Sequence, residues 1–523
     1  MAYDMLLSPM KIGTMEVKNR VVMTAAELGL GQINGCVNER TARYYEERAK
    51  GGVGLIITGC CRVDDINPAS FAQIGMTHDY HIEPMRQMAK RIHAQGAKLC
   101  VQLHHAGRQG YGSCNNSFPL IIPMTNAIPS SANLLWKAAR RCQRAGVDAV
   151  ELHGGHGYLI QQFLSPHTNH RTDEYGGSFE NRMRFLSEII TGIKEECGKD
   201  YPLILRLTVD EMYDRIGRPG VGYGLEEGIK FAQAAEKLGV DAINVTSVTY
   251  DAYNYWLETT SFVPGWRAYL AKAVKEAVSV PVIAANYIRS PEQAERQLEE
   301  GVQDFIGSAR DFICDPEWVK KVQEGRENEI RRCIGCVNCM RSLVTEGVTM
   351  GKPGKCALNV AMAQEEKFAN IPKDGNGRTA VVVGAGPAGL TAAQLLAKRG
   401  FAVTVFEKEE KAGGQVITAS TCNLKDKLYW CIEDLLVNVR KLGADVKLGE
   451  EATTEKIAAF NPAAVIVAAG GVPVKPRSIP GTDRENVFVA PPNHHEGESH
   501  PRFQGGRGRL RHHGSGNRRA AER

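Results

Sequence analysis

From the N-terminus to about residue 325, short apolar runs alternate with segments whose apolar residues recur at helical spacing. The runs are "NRVVMTA" (19–25), "GVGLIITG" (52–59), "AKLCVQLHH" (97–105), "DAVELHG" (148–154), "PLILRLT" (202–208), "DAINVTS" (241–247), "PVIAAN" (281–286) and "DFIGSAR" (304–310). Between them lie amphipathic stretches such as "EPMRQMAKRIHAQG" and "GIKFAQAAEKLG", each closed by Gly. Eight strands alternating with helices predict an α/β chain with an N-terminal (β/α)8 TIM barrel. A doubly wound open sheet is the structural alternative, and the count of eight favours the barrel. In such barrels chemistry sits at the carboxyl ends of the strands. Those ends carry Thr24, Gln102 with His104 and His105, Glu151 with His153 and His156, Arg206, Ser247, Asn286 and Arg310. So many polar and cationic groups ending apolar strands read as a convergent site.

A length of 523 residues implies two or three domains. The expected division is a barrel over 1–330, a cysteine segment and polar linker over 331–377, a partial Rossmann-like domain over 378–490 and an aberrant tail over 491–523. The formal charge of +5 is misleading, because the last 33 residues hold seven Arg against three Glu. The body is therefore near neutral, which gives no support for nucleic acid or an anionic membrane as partner. The N-terminus lacks a charged leader before an apolar core, and no apolar run approaches the roughly 18 residues of a membrane span. Fourteen cysteines in a chain read as cytoplasmic point to thiols and metal ligands rather than a disulfide framework.

Cys333, Cys336, Cys339 and Cys356 are spaced C-x2-C-x2-C-x16-C. Three thiolates in one tight loop reach three corners of a cubane and a distant fourth closes it, so the spacing favours a [4Fe–4S] cluster. The alternative is zinc, whose usual form is two separated C-x2-C knuckles. Downstream, "VVVGAGPAGL" supplies G-x-G-x-x-G as Gly384, Gly386 and Gly389, after a β-rich run and before a helix. Glu407 ends the next strand about 20 residues on, where a ribose-binding acid belongs.

The segment "HGGHGYLIQQFLSPHTNHRTDEYGGSFENRMRF" (153–185), with "QLHHAGR" (102–108), resembles the old yellow enzyme family of flavin reductases. That resemblance implies FMN in the barrel, contacted by Thr24, Gln102, Arg206 and Arg310. Arg206 would sit near flavin N1 and Arg310 near the phosphate. It also implies that His153 and His156 bind a substrate carbonyl oxygen, where a hydride-accepting alkene builds enolate charge, and that Tyr158 gives the α-proton. Glu27 after the first strand and Tyr287 in "AANYIRS" depart from the family pattern. The order of barrel, cysteines and second nucleotide fold resembles the subfamily of 2,4-dienoyl-CoA reductase, 2-enoate reductase and trimethylamine dehydrogenase, with an enlarged x16 loop. "AGGQ" (412–415, ending at Gln415) and "VIVAAGG" (465–471) are similar to FAD-binding disulfide-reductase-like folds, which favours FAD there.

The implied activity is reduction of a C=C bond conjugated to a carbonyl in a small enoate, enone or acyl-CoA. Electrons would come from NAD(P)H through FAD and the cluster. NADH oxidase or diaphorase activity, amine dehydrogenation and an inactive fragment are the alternatives. The residue matching the cysteine that tethers FMN in trimethylamine dehydrogenase relatives is Glu27, which argues against the amine chemistry. The tail "PPNHHEGESHPRFQGGRGRLRHHGSGNRRAAER" holds five of the fourteen His and only Phe503 and Leu510 as large apolar residues. It cannot bury a core. A frameshift near residue 491, with weakened or lost FAD binding, is expected.

Overall fold

The computed structural model describes residues 3–110 except 67, 128–484 except 348, 349, 473, 475 and 477, and residue 487; the side chains of 128–130 are outside this set. The expectation for 491–523 lies outside the described residues. The chain divides into two compact units, Met1–Asn370 and Ile371–Arg523.

The first unit is a closed barrel of eight parallel strands. They are β1 (Val21–Met23), β2 (Leu55–Ile57), β3 (Lys98–His104), β4 (Ala149–Gly154), β5 (Leu203–Thr208), β6 (Ala242–Thr246), β7 (Val282–Ala284) and β8 (Phe305–Ser308). Closure comes from β8 pairing with β1, Ile306 opposite Val21 and Ser308 opposite Met23, and this excludes the open sheet. Side chains alternate along a strand, so one register of residues fills the barrel. At its amino end these are Val22, Leu55, Ile57, Cys100, Ala149, Ile204, Ala242, Ile283 and Phe305. A two-stranded hairpin, Met10–Ile12 with Met15–Val17, adds Ile12, Met15 and Val17 to the same cluster. Two residues further along β3 to β6 the inward positions become Gln102, Glu151, Arg206 and Asn244. The same face thus runs from apolar to polar, which places chemistry at the carboxyl end.

Local signals agree with the elements they begin. Asn38, Ser178 and Ser290 cap the helices Glu39–Lys50, Phe179–Cys197 and Pro291–Glu299 by accepting backbone N–H bonds. Three aspartates at strand starts tie neighbouring strands at the amino end: Asp148 accepts from Leu99 N, Asp241 from Leu203 N and Asp304 from Val282 N, at 2.8–2.9 Å. Among the described residues no helix is long and apolar enough to cross a membrane.

The second unit holds a parallel sheet. β9 (Thr379–Val383) lies between β10 (Ala402–Glu407) and β12 (Ala464–Val467), and β11 (Asp445–Leu448) pairs with β10. The helix Pro387–Lys398 follows β9 directly, as a Rossmann-like crossover requires.

Candidate active site at the barrel mouth

The polar layer is built around Glu151. Gln102 Nε2 donates to one carboxylate oxygen at 2.6 Å and Asn244 Nδ2 to the other at 2.7 Å. Burial pushes the Glu151 carboxyl up and the Arg206 cation beside it pulls it back. Arg206 donates through Nη1 to the Ala25 carbonyl at 3.2 Å, while its buried Nε has no partner among the described residues.

Above this layer opens a cavity of about 270 Å³ whose wall includes Thr24, Gln102, His153, His156, Tyr158, Arg206 and Arg310. The fold therefore brings together every barrel residue singled out as cofactor-binding or catalytic. Arg310 is engaged by the Glu258 carboxylate at 2.6 Å and by the Glu258 carbonyl. Arg289, on the same wall, stacks on Tyr287 at 3.8 Å and bonds Asp311 at 3.0 Å, and its buried Nε and Nη2 have no hydrogen-bond partner among the described residues. Unpartnered buried donors on Arg206 and Arg289 are what an anionic, acceptor-rich group such as FMN would satisfy.

His153 and His156 meet edge to face, centroids 5.1 Å apart, with His156 Nδ1 3.4 Å from His153 Nε2. His156 Nε2 lies 2.9 Å from Thr246 Oγ1, and its backbone N–H donates to Thr208 Oγ1 at 3.1 Å. That N–H bond accompanies a left-handed φ of 57° at His156. Val248 and Tyr287 also have positive φ, so strained backbone gathers at this mouth. Burial, then neighbouring imidazole and guanidinium groups, holds both histidines well below the usual imidazole range. Both are neutral near pH 7. Burial drives the Tyr158 phenol well up, so it keeps its proton, and its hydroxyl lies 2.8 Å from that of Tyr250.

Cys60 Sγ and one nitrogen each of His104 and His153 lie within 4.8 Å of one another, a metal-ligand trio by distance. The Gln73 amide is oriented by accepting from Ala69 N at 2.7 Å, and its Nε2 donates to His104 Nδ1 at 3.2 Å. The proton of His104 is then on Nε2, so a metal would have to turn the Gln73 amide over first.

The four spaced cysteines lie in one electrostatic neighbourhood. Burial, then the charges of Cys333 and Cys356, raises the Cys336 thiol, and Cys339 is pushed up to about 12 chiefly by burial and Cys333. Cys356 is drawn down to about 6 by a hydrogen bond from Cys314, a fifth thiol that spacing did not point to. Gly335 and Val337 bend the loop through left-handed conformations, and Cys339 also lines the barrel cavity.

In the second unit the three glycines differ in what surrounds them. A Cβ on Gly384 would stand 2.5 Å from the Ala468 carbonyl, and one on Gly389 would stand 1.9 Å from the Gly384 carbonyl. Gly386 faces open space, as close approach of a pyrophosphate requires. Glu407 accepts from Ala385 N at 2.8 Å and Gln415 donates to the Gly471 carbonyl at 2.8 Å.

Sequence reasoning did not single out Tyr250, Arg289 or Asn244. Asn244 was findable, since it continues the inward register of Ala242. Tyr250 and Arg289 lie beyond strand ends, where no periodicity marks them.

Residues 5–119 and 126–329 match the NADH:flavin oxidoreductase / NADH oxidase family, and 382–431 match an NAD(P)-binding Rossmann-like domain. The chain is 39% identical over 501 residues to a NADH oxidase of Thermoanaerobacter brockii, covering 92% of this chain and 75% of that protein. It is 33% identical to an N,N-dimethylglycine/sarcosine dehydrogenase of Chromohalobacter salexigens, covering 90% and 70%. A 2-naphthoyl-CoA reductase structure superposes with a TM-score of 0.85 at 31% identity, over 92% of this chain and 76% of the other. The chain therefore belongs to the NADH:flavin oxidoreductase / NADH oxidase family and is an FMN-dependent, NAD(P)H-linked oxidoreductase.

Proposed function

We propose that the protein reduces a C=C bond conjugated to a carbonyl in a small enone, enoate or acyl-CoA. The observation that carries this reading is the trio of His153, His156 and Tyr158, two neutral imidazoles and a protonated phenol in one cavity wall. FMN, when bound, supplies hydride chemistry. The histidines donate N–H to the substrate carbonyl oxygen, whose charge grows as the β-carbon is reduced. Tyr158 holds the proton that the α-carbon requires. Thr24, Gln102, Arg206, Arg289 and Arg310 would hold the flavin. The 2-naphthoyl-CoA reductase likeness supports the substrate class.

Cys333, Cys336, Cys339 and Cys356 would hold a [4Fe–4S] cluster, which supplies one-electron transfer. The C-x2-C-x2-C spacing with a distant fourth cysteine favours the cubane over zinc, whose usual form is two separated C-x2-C knuckles. Gly384, Gly386, Gly389, Glu407 and Gln415 would hold FAD, with NAD(P)H as donor.

The test is anaerobic. Dithionite-reduced holoprotein is mixed with a panel of enones and enoates while flavin reoxidation is followed. The His153→Ala/His156→Ala variant should be slower by about 10² or more; a parent rate with FMN retained would refute the assignment. A second reading, amine dehydrogenation, is favoured by the N,N-dimethylglycine/sarcosine dehydrogenase likeness. It requires that amines reduce the oxidised flavin.

A further inference from the structure

The cavity wall carries two acids, Glu27 and Glu258. Glu258 is committed, since its carboxylate binds Arg267 and Arg310. Glu27 is not. Its Oε1 accepts from Gly29 N at 2.8 Å and from Ser70 Oγ at 3.2 Å. The groups that act on it are burial, Gly29, Ser70 and Leu28, with no cation among them. Those donors fix the group in place, while burial raises its carboxyl from an ordinary 4.5 to about 7, so it is the anion at pH 8 and a bound cation would hold it so at lower pH. Glu27 lines the same cavity as Cys60, Tyr158 and the two histidines. A buried charge is retained at a cost unless something in the site offsets it. The cations nearby do not turn to it: Arg206 faces Glu151 and bonds the Ala25 carbonyl, and Arg289 is held by Asp311.

We propose that Glu27 is a specificity-determining residue that selects substrates bearing a cationic nitrogen near the reacting carbons and rejects those bearing a carboxylate there. The proposal rests on this cavity being the substrate site. Within the reductase reading it narrows the substrate from enoates in general to neutral or cationic carbonyl compounds. A bound ammonium group completes the ion pair that the protein leaves open. A bound carboxylate faces a like charge across a low-dielectric space, and the difference in affinity is at least about tenfold.

The test uses the FMN-loaded full chain and two conjugated aldehydes of similar length, 4-(trimethylammoniomethyl)cinnamaldehyde and 4-(carboxymethyl)cinnamaldehyde, the quaternary nitrogen being unable to condense with the aldehyde. Dissociation constants are read from perturbation of the oxidised flavin absorbance at pH 8, without turnover. The parent should bind the ammonium probe at least about tenfold more tightly. Glu27→Gln should bring the ratio close to one, and Glu27→Asp should keep its direction. Equal binding by the parent, or an unchanged ratio in Glu27→Gln, would overturn the proposal. Should Glu27→Gln fail to hold FMN, the parent ratio and Glu27→Asp decide. Dithionite-reduced protein is offered the same probes in parallel. An ammonium probe that binds as expected but is not reduced defeats the reductase reading and leaves the Glu27 assignment standing.

Discussion

Removing the two phenol hydroxyls one at a time separates proton donation from its support. Tyr158 is buried among His104, His153 and Tyr250, with ring centroids 4.3, 4.9 and 5.8 Å away, so Tyr158→Phe keeps the packing and deletes only the hydroxyl. Loss of a positioned general acid costs about 10²–10⁴ in rate. Tyr250 acts one step removed. When Tyr158 points its proton at substrate, the Tyr250 hydroxyl must be the donor in the 2.8 Å bond between them. As the proton leaves, that bond changes from a neutral pair, worth about 1 kcal/mol, to one onto a developing phenolate, worth about 1.5–3 kcal/mol. The gain of about 1 kcal/mol predicts a roughly fivefold slowing in Tyr250→Phe. The assay is stopped-flow reoxidation of dithionite-reduced protein by an enone, with the solvent isotope effect measured alongside. Tyr250→Phe should be slowed modestly with a larger isotope effect and unchanged enone affinity. A parent rate in Tyr158→Phe, or a greater loss in Tyr250→Phe than in Tyr158→Phe, would refute the reasoning.

Cys336→Ala should abolish iron and acid-labile sulfide while the barrel keeps FMN; stoichiometric zinc in the parent would contradict this. Arg289→Ala should weaken FMN binding more than Arg310→Ala, because Arg310 gives two nitrogens to Glu258 whereas Arg289, bonded to Asp311 through Nη1, keeps Nε and Nη2 without partners among the described residues; fluorescence titration of the apoprotein ranks them. Glu211, buried beneath Gln161, Ser165 and Tyr223, is raised by burial to about 7 from an ordinary 4.5. Folded protein therefore holds a proton that unfolded chain releases between those values, and stability falls as pH rises through that window, by about 3 kcal/mol for this group. The melting temperature of Glu211→Gln relative to parent should accordingly be more favourable at pH 8 than at pH 5, and a constant difference would sink the assignment. Gly389→Ala drives a methyl to within 1.9 Å of the Gly384 carbonyl and should abolish dinucleotide binding, read by FAD titration.

How far the site could be read from sequence depends on whether its residues sit in a repeating register. Gln102, Glu151 and Arg206 continue the inward face of strands whose preceding inward residues are Cys100, Ala149 and Ile204, so alternation alone carries them into the barrel and sequence order places them at its mouth. His153 continues the same face, and its spacing from His156 holds both at one turn. The electrostatic division of labour is a different matter. Arg310 and Arg289 look alike in sequence, each a cation just beyond a strand. Each meets a carboxylate, Arg289 through one nitrogen on Asp311 and Arg310 through one on Glu258, whose carbonyl takes a second; Glu258 lies 52 residues from Arg310 in a stretch without periodicity and takes up Arg267 as well. No local pattern specifies that pairing, because it is fixed by where the loop after β6 crosses the mouth. The same loop brings Tyr250 to Tyr158. Strands thus determine which groups can reach the cavity, and the loops determine which of them remain unpaired and available to a ligand. Glu27 belongs to the second set: its position after β1 was legible, and its lack of a cation partner was not.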